Sequence, residues 1–220
     1  MFEDRQDAGR RLASLLEHYR DANAVVLAIP RGGVEVGYQV AVRLRAELDI
    51  LVARKLPFPG NPEAGFGAVA EDGSTYIADY AARWFPPALV SRIVAEQRQE
   101  SARRVNVLRG GRPLPPLEGR VVILVDDGLA TGATMRAAIM LCRRRGAARI
   151  VVAVPVAGED VVREMDALAD EVVVVLTPPG FRAVAQVYRH WYDVGDEEVL
   201  AILDRWRSEQ QKRGADAGRS

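Results

Sequence analysis

Short apolar runs alternate with segments of helical periodicity along most of the chain. Each run is rich in β-branched residues and too short for a helix, which is typical of strands buried on both faces of a parallel sheet. The predicted strands cover residues 24–29, 50–53, 121–125, 149–156 and 171–176. The predicted helices cover about 4–20, 34–46, 86–108, 135–145, 159–168 and 196–206. This alternation predicts an α/β fold with a doubly wound, mainly parallel sheet flanked by helices.

Two segments depart from that alternation. Residues 56–74 are rich in proline and glycine, which predicts a mobile functional loop that ends in a hairpin around an Asp-Gly turn. The second half of the helix at 86–108 is polar on every side. Its cations either belong to a lid that reaches a bound anion or lie on a solvent-facing helix. The cations in question are Arg98, Arg103 and Arg104.

The composition is that of one globular domain. Of 220 residues, 49% are hydrophobic, so we expect a single domain over residues 1–206 and a disordered tail at 207–220. Thirty basic residues balance thirty acidic ones, which argues against a nucleic-acid partner. Because no apolar run approaches the roughly eighteen residues that span a bilayer, we expect a cytoplasmic protein. The single cysteine, Cys142, lies on an apolar helix face and is predicted to be a core residue.

The stretch at 121–134 combines a buried strand, two acids and a loop of small residues. Such a loop leaves backbone N–H groups free at a helix N-terminus, beside the carboxyl ends of the strands, where an anion can bind. Asp126 and Asp127 end the strand; they either cap a turn or face a hydrogen-bond donor such as the diol of a ribose. The candidate anion-binding residues are Ala130, Thr131, Gly132, Ala133 and Thr134.

A second glycine-rich turn follows the first predicted strand. It contains Arg31, Gly32 and Gly33 and leads into a helix, which makes it either an ordinary turn or a second anion site with its own cation. Lys55 follows the predicted strand at 50–53, so it is either a ligand of the same anion or a solvated surface charge.

The motif at 121–134 resembles the phosphoribosyl pyrophosphate (PRPP) signature of type I phosphoribosyltransferases. In that signature an apolar strand, two acids and three variable residues precede Thr-Gly-x-Thr. The resemblance implies that Asp126 and Asp127 hold the ribose hydroxyls and that residues 130–134 cradle the 5-phosphate. The residues it assigns to pyrophosphate are Arg31, Gly32, Gly33 and Lys55.

The resemblance also implies a fold and a reaction. The fold would comprise a core at about 24–176, a small hood formed by the N-terminal helix with residues 177–206, and a flexible loop. The protein would be a homo-oligomer, specifically a dimer. The reaction would transfer the 5-phosphoribosyl group of magnesium-bound PRPP to a nitrogenous acceptor such as a nucleobase, with release of pyrophosphate. The residues expected to support catalysis are Asp126, Asp127, Arg31 and Lys55.

Magnesium would arrive with PRPP, and the two aspartates are the candidates for a direct contact with it. Phe181 either walls in the acceptor or packs in the core. Enzymes acting on hypoxanthine or guanine usually have an acid at the position of Ala130, which disfavours a 6-oxopurine acceptor here. A non-catalytic sensor of PRPP or of a nucleotide, built on the same fold, is the alternative function.

Overall fold

The computed structural model describes residues 1–217, without the side chains of residues 62, 63, 82 and 213–217. The strands are β1 Val25–Ala28, β2 Glu47–Ile50, β3 Ala53–Phe58, β4 Asn61–Ala70, β5 Thr75–Ile77, β6 Val121–Val125, β7 Arg149–Val156 and β8 Glu171–Leu176. The α-helices are α1 Arg5–Leu15, α2 Gly33–Leu44, α3 Ala81–Trp84, α4 Pro87–Arg109, α5 Ala133–Arg144, α6 Glu159–Asp166 and α7 Asp196–Ala217, and short 3₁₀ turns cover Glu17–Tyr19 and Val184–Val187.

The core is a five-stranded sheet in the spatial order β2-β1-β6-β7-β8, with every neighbouring pair parallel. Successive strand residues point to opposite faces, so the sheet is apolar on both sides. Val26 and Ala28 of β1 pack in a cluster with residues of α1, α2 and α7, whereas Val25 and Leu27 pack with residues of α5. The predicted α/β class with a mainly parallel, helix-flanked sheet is confirmed. Cys142 is fully buried in the second cluster, as predicted.

A second, antiparallel sheet in the order β3-β4-β5 corrects two predictions. The prediction of one strand over residues 50–53 is wrong, because β2 ends at Ile50 and β3 begins at Ala53 in the other sheet. The apolar run is continuous because Leu51 and Val52 stay buried where the chain passes from one sheet to the other. The prediction of an irregular loop over residues 56–74 is also wrong, because β3 and β4 cover most of that range. The predicted hairpin at its end is confirmed as the pair β4 and β5.

The C-terminal segment is more ordered than its composition suggests. The predicted disorder from residue 207 is wrong as far as residue 217, because α7 continues to Ala217. Tyr38 of α2 donates a hydrogen bond from its hydroxyl to Glu209 Oε1 at 2.9 Å, which ties this part of α7 to the core. The last part of the predicted tail, residues 218–220, lies outside the described residues.

Candidate functional site

The two glycine-rich loops meet where the order of strands in the core sheet reverses. From β1 the chain passes to β2 on one side of the sheet, and the later strand β6 lies on the other side. The carboxyl ends of β1 and β6 are therefore adjacent at a topological switch point, the usual place for a ligand in an open α/β sheet. This arrangement brings Gly32 and Gly33 beside Asp126 and Asp127, where the second loop begins.

Direct contacts between the loops explain two of the glycines. A Cβ on Gly33 would lie 2.9 Å from the carbonyl oxygen of Val125, and a Cβ on Gly32 would overlap the carboxylate of Asp127. No residue with a side chain fits at either position without displacing backbone or an acid. The peptide bond between Pro30 and Arg31 is cis. Through Gly32 and Gly33, the first loop packs directly against Asp126 and Asp127.

Burial favours the protonated form of both aspartates. Desolvation raises the pKa of Asp126 well above its usual range, and the charge of Asp127 adds to that shift. Desolvation also raises the pKa of Asp127, although the guanidinium of Arg5 opposes the shift. The ionised form of such a carboxyl pair is stabilised when a ligand supplies hydrogen-bond donors or positive charge. The hydroxyls of a ribose meet that requirement.

Arg5 is a site residue that sequence reasoning missed. Its side chain is 3% exposed, and its Nε donates to Asp127 Oδ2 at 2.8 Å. Its Nη1 donates to the carbonyl of Tyr192 at 2.9 Å and lies 3.5 Å from Glu35 Oε2. The guanidinium carbon stacks 3.9 Å from the ring centre of Trp191. No local spacing signals this role, because Arg5 and Asp127 are 122 positions apart in the chain.

The N-terminal residues and the segment after β8 also meet beside Asp127. The hydroxyl of Tyr188 donates to the carbonyl oxygen of Asp127 at 2.6 Å. Phe2 donates from its backbone N–H to Val187 at 2.7 Å and accepts from Arg189 at 2.9 Å. The N-terminal residues and the segment after β8, which were predicted to form a hood, are thus joined to each other and to the site.

The second loop leads into α5 with an open helix N-terminus. Gly132 adopts the left-handed conformation at φ 70° as the N-cap, and within the described residues no side chain donates or accepts a capping bond there. Ala130 and Thr131 are exposed, and α5 begins at Ala133. Free backbone N–H groups in the first turn make this a place for an anion such as a phosphate.

Two cavities flank this loop. One, of about 500 Å³, contains Ala130 and Phe181 and is further lined by residues 158–161 and 178–180. The other, of about 230 Å³, lies between Thr131 and the small sheet, which contributes Tyr76. The structure therefore places Phe181 in the same cavity as the loop at 130–134.

The predicted cations lie on different elements. Arg31 is 39% exposed at its side chain, and its Nη1 is 3.9 Å from Asp196 Oδ1. Lys55 lies within β3 of the small sheet instead of at the end of a core strand, so that part of its prediction is wrong. Its aliphatic stem crosses Gly65 of β4 so closely that a Cβ there would overlap it.

The carboxylates suit a magnesium ion that is held mainly by its substrate. Among the side chains that the structure describes, no group of three or more from His, Cys, Asp or Glu could hold a metal ion. Asp126 and Asp127 together supply two carboxyl groups. Mg²⁺ is usually bound by one or two carboxylates together with substrate phosphates, so this pair suits it. In the described part of the chain, no helix is both long and apolar enough to cross a membrane.

Comparisons with known proteins agree on one family. The family model described as "Phosphoribosyl transferase domain" matches residues 3–188. Two Mycobacterium tuberculosis proteins, "Putative phosphoribosyl transferase MT0597" of strain CDC 1551 / Oshkosh and "Putative phosphoribosyl transferase Rv0571c" of strain ATCC 25618 / H37Rv, are each 44% identical over 217 residues. These matches cover 98% of this chain and 49% of each relative, so the chain spans about half the length of the relatives.

A solved structure matches over almost the whole chain. The crystal structure of TT1426 from Thermus thermophilus superposes with a TM-score of 0.79 at 44% sequence identity. The superposition covers 94% of this chain and 99% of that one.

Proposed function

The chain belongs to the phosphoribosyl transferase domain family, and from this we propose that it transfers the 5-phosphoribosyl group of magnesium-bound PRPP to a nitrogenous acceptor. Pyrophosphate is the other product. The observation that carries the proposal is the contact of Gly32 and Gly33 with Asp127 and Asp126. It supports a single site with two anion-binding loops and an acid pair between them, which matches a substrate with a phosphate, a diol and a pyrophosphate.

Each part of PRPP has a counterpart at this edge of the sheet. Residues 130–134 bind the 5-phosphate through the N-terminus of α5 and the hydroxyls of Thr131 and Thr134. Asp126 and Asp127 accept hydrogen bonds from the ribose 2- and 3-hydroxyls. Arg31 and the backbone of Gly32 and Gly33 bind the pyrophosphate, with Lys55 reaching it from β3.

The reaction needs no protein nucleophile. The acceptor nitrogen forms a bond to the anomeric carbon with its own electron pair, while the bond from that carbon to pyrophosphate breaks and its electrons leave with pyrophosphate. The acceptor then loses its N–H proton to solvent. The ribose ring becomes positively charged in the transition state, and the neighbouring carboxylates stabilise it. Arg31 and Lys55 offset negative charge on the departing pyrophosphate. Magnesium, when bound with PRPP, neutralises further charge there, and Asp126 and Asp127 are the residues that would contact it.

The acceptor enters the cavity that contains Ala130 and Phe181. The ring of Phe181 forms part of the wall of a space of about 500 Å³, large enough for a nucleobase. Alanine at position 130 supplies no acid to a purine ring, which favours acceptors other than hypoxanthine and guanine. The small sheet borders the phosphate loop from the other side and helps to exclude water, which would otherwise consume PRPP. A cytoplasmic location and a dimeric assembly remain predictions from the sequence.

Pyrophosphate release tests the proposal. The protein is mixed with PRPP, Mg²⁺ and one member at a time of a panel of purines, pyrimidines and small amines. We expect release with at least one acceptor, lost in Asp127→Asn and retained in Asp166→Asn, a matched change at an exposed carboxylate on α6. PRPP binding without release from any acceptor would favour the sensor over the enzyme.

A further inference from the structure

Two arginines from separate elements meet beside the loop at residues 30–33, and Arg54 lies against the same helix as one of them, where its Nε donates to Gln97 Oε1 at 3.4 Å. Arg31 belongs to that loop, Arg54 to β3 and Arg104 to α4. The Nη1 atoms of Arg31 and Arg104 lie 3.9 and 3.8 Å from the same atom, Asp196 Oδ1 at the start of α7. Two guanidinium groups thus face one carboxylate oxygen at distances too long for hydrogen bonds.

The atoms at this meeting point are buried but incompletely bonded. Among the described residues, Asp196 Oδ1 and Arg104 Nε are buried and find no hydrogen-bond partner. Buried polar atoms in folded proteins are almost always bonded, so each exception requires an explanation such as a functional role of the atom. The side chain of Arg104 is only 16% exposed, which makes a solvated surface charge a poor explanation for it.

Positive charge is in excess at the same place. Glu100 is the other nearby carboxylate: it accepts two hydrogen bonds of 2.7 Å from Arg103, and its Oε1 also lies 3.5 Å from Arg104 Nε, as an ion pair without a hydrogen bond. Burial lowers the pKa of Arg54, and the charge of Arg104 lowers it further. Asp196 thus faces the guanidinium groups of both Arg31 and Arg104, and a further anion would be attracted to this position.

We propose that Arg104 joins Arg31 in binding the pyrophosphate of PRPP, and that Asp196 is an internal anion that holds Arg31 and Arg104 until pyrophosphate replaces it. This inference rests on the proposed function. It assigns α4 and α7 to the substrate site, although neither carries the sequence motifs of the two loops. It also makes Asp196 a competitor of the substrate for the same cations.

The geometry separates Arg104 from the other two arginines of α4 that the sequence singled out. Arg98 lies against Gly73 in a groove lined by Thr75 of the small sheet. Arg103 is 56% exposed at its side chain and is paired with its helix neighbour Glu100. Of these three cations, only Arg104 is expected to contact the substrate.

Calorimetric titration with inorganic pyrophosphate and Mg²⁺ tests the inference. We expect Arg104→Gln to weaken binding about tenfold or more, the value of one charge-assisted hydrogen bond. We expect Asp196→Asn to strengthen binding about threefold or more, because a competing charge is removed. Arg92→Gln is the matched control, since Arg92 pairs with Glu96 on the exposed part of the same helix, and it should leave the affinity within about twofold.

Two further measurements keep a folding defect apart from a binding defect. Titration with ribose 5-phosphate should give the same affinity in wild type and Arg104→Gln, because that ligand lacks pyrophosphate. Arg104→Lys keeps the charge and should bind pyrophosphate more tightly than Arg104→Gln does. An affinity of Arg104→Gln for pyrophosphate equal to that of wild type would overturn the inference, and so would weaker binding by Asp196→Asn.

The outcomes also distinguish the inference from the proposed function. If pyrophosphate binds through Arg104 but no acceptor releases it from PRPP, the inference stands and the enzymatic function fails. If turnover is observed while Arg104→Gln leaves both pyrophosphate affinity and turnover unchanged, the function stands and the inference fails. If wild type does not bind pyrophosphate at all, the inference is wrong.

Discussion

Two clusters of buried charge in this molecule differ in how completely they are hydrogen bonded. The first, which we call the inner pair, consists of Glu71 and Arg109. The second, which we call the site cluster, consists of Arg5, Glu35, Asp126 and Asp127. The inner pair is fully bonded to side chains and backbone, whereas the carboxyl groups of the site cluster are desolvated without full compensation. The comparison distinguishes charges that stabilise the fold from charges that are held for a ligand.

The inner pair links the core sheet, the small sheet and α4. Arg109 donates to the backbone carbonyls of Arg112 and Ile50 at 2.6 and 2.9 Å, and its Nη2 donates to Glu71. The carboxylate of Glu71 also accepts from the N–H of Val52 at 2.9 Å. These bonds lie where the chain leaves one sheet for the other, so the pair stabilises that crossing.

The site cluster is less well compensated. Burial raises the pKa of Glu35, and Glu35 Oε2 finds no hydrogen-bond partner within the described part of the chain. Burial likewise raises the pKa values of Asp126 and Asp127, and the charge of Arg5, which is ion-paired with Asp127, opposes both shifts. Proteins commonly lose stability at sites that are organised for a ligand. We expect the two clusters to respond to substitution in opposite ways.

The largest effect is expected at the inner pair. Arg109→Met leaves Glu71 as an unpaired buried charge, which typically costs about 3–5 kcal/mol. Chemical denaturation should show that loss in the free energy of unfolding, while the protein that remains folded binds PRPP with unchanged affinity. The double variant Arg109→Met, Glu71→Leu should recover part of the loss. A cost below about 1 kcal/mol for the single change would mean that the pair is not a stabilising element.

The next effect is expected in the site cluster and concerns activity. Asp127→Asn keeps the shape of the side chain but removes the charge that accepts from the ribose, so kcat/KM for PRPP should fall on the order of 100-fold. Its free energy of unfolding should stay within about 1 kcal/mol of the wild-type value, because the amide oxygen can still accept from Arg5 Nε and the desolvation cost of one carboxylate is removed, which together offset the lost ion pair. Denaturation and steady-state kinetics on the same sample check both. If this variant lost stability as well as activity, the site cluster would behave like the inner pair, and the proposed difference between the two clusters would be contradicted.

A smaller, pH-dependent effect is expected at Glu35. The charged and titratable groups that face it are Arg5, Tyr192, Glu198 and Asp4. Because its pKa is raised in the folded state, the folded protein binds this proton more tightly than the unfolded chain does. The stability of wild type relative to Glu35→Gln should therefore fall as pH rises above the ordinary glutamate value of about 4.3. Denaturation at a series of pH values measures the difference, and a difference that grows with pH in favour of wild type would contradict the assignment.

The smallest effect is expected at an exposed ion pair. Arg163 and Asp160 on α6 are paired, but their side chains are 69% and 85% exposed. Arg163→Ala should change the free energy of unfolding by no more than about 0.5 kcal/mol. This variant provides the baseline against which the other three are judged.

Much of the fold and part of the site could be predicted because their signals are contiguous in sequence. The parallel strands appear as short apolar runs, and the loop at 126–134 follows one of them directly. The assignment of β3 failed because the apolar run at 50–53 continues from one sheet into the other. The order of residues 207–217 was missed because their stabilising contacts, such as that between Tyr38 and Glu209, connect distant parts of the chain.

The remaining parts of the site depend on tertiary proximity alone. Arg5 reaches Asp127 from the first helix, and Tyr192 reaches Glu35 across 157 positions. Asp196 meets Arg104 only because α7 packs against α4. No motif or periodicity marks Arg5, Tyr192 or Asp196 as a site residue, since each is an ordinary residue type in its own segment.

Calorimetric titration of wild type with PRPP tests the central claim most directly, with and without Mg²⁺ and alongside Asp126→Asn and Asp127→Asn. The account predicts binding that requires Mg²⁺ and is weakened in both variants while they remain folded. Absence of PRPP binding to the folded wild-type protein would contradict the account. Binding that is as tight in both variants as in wild type would also contradict it.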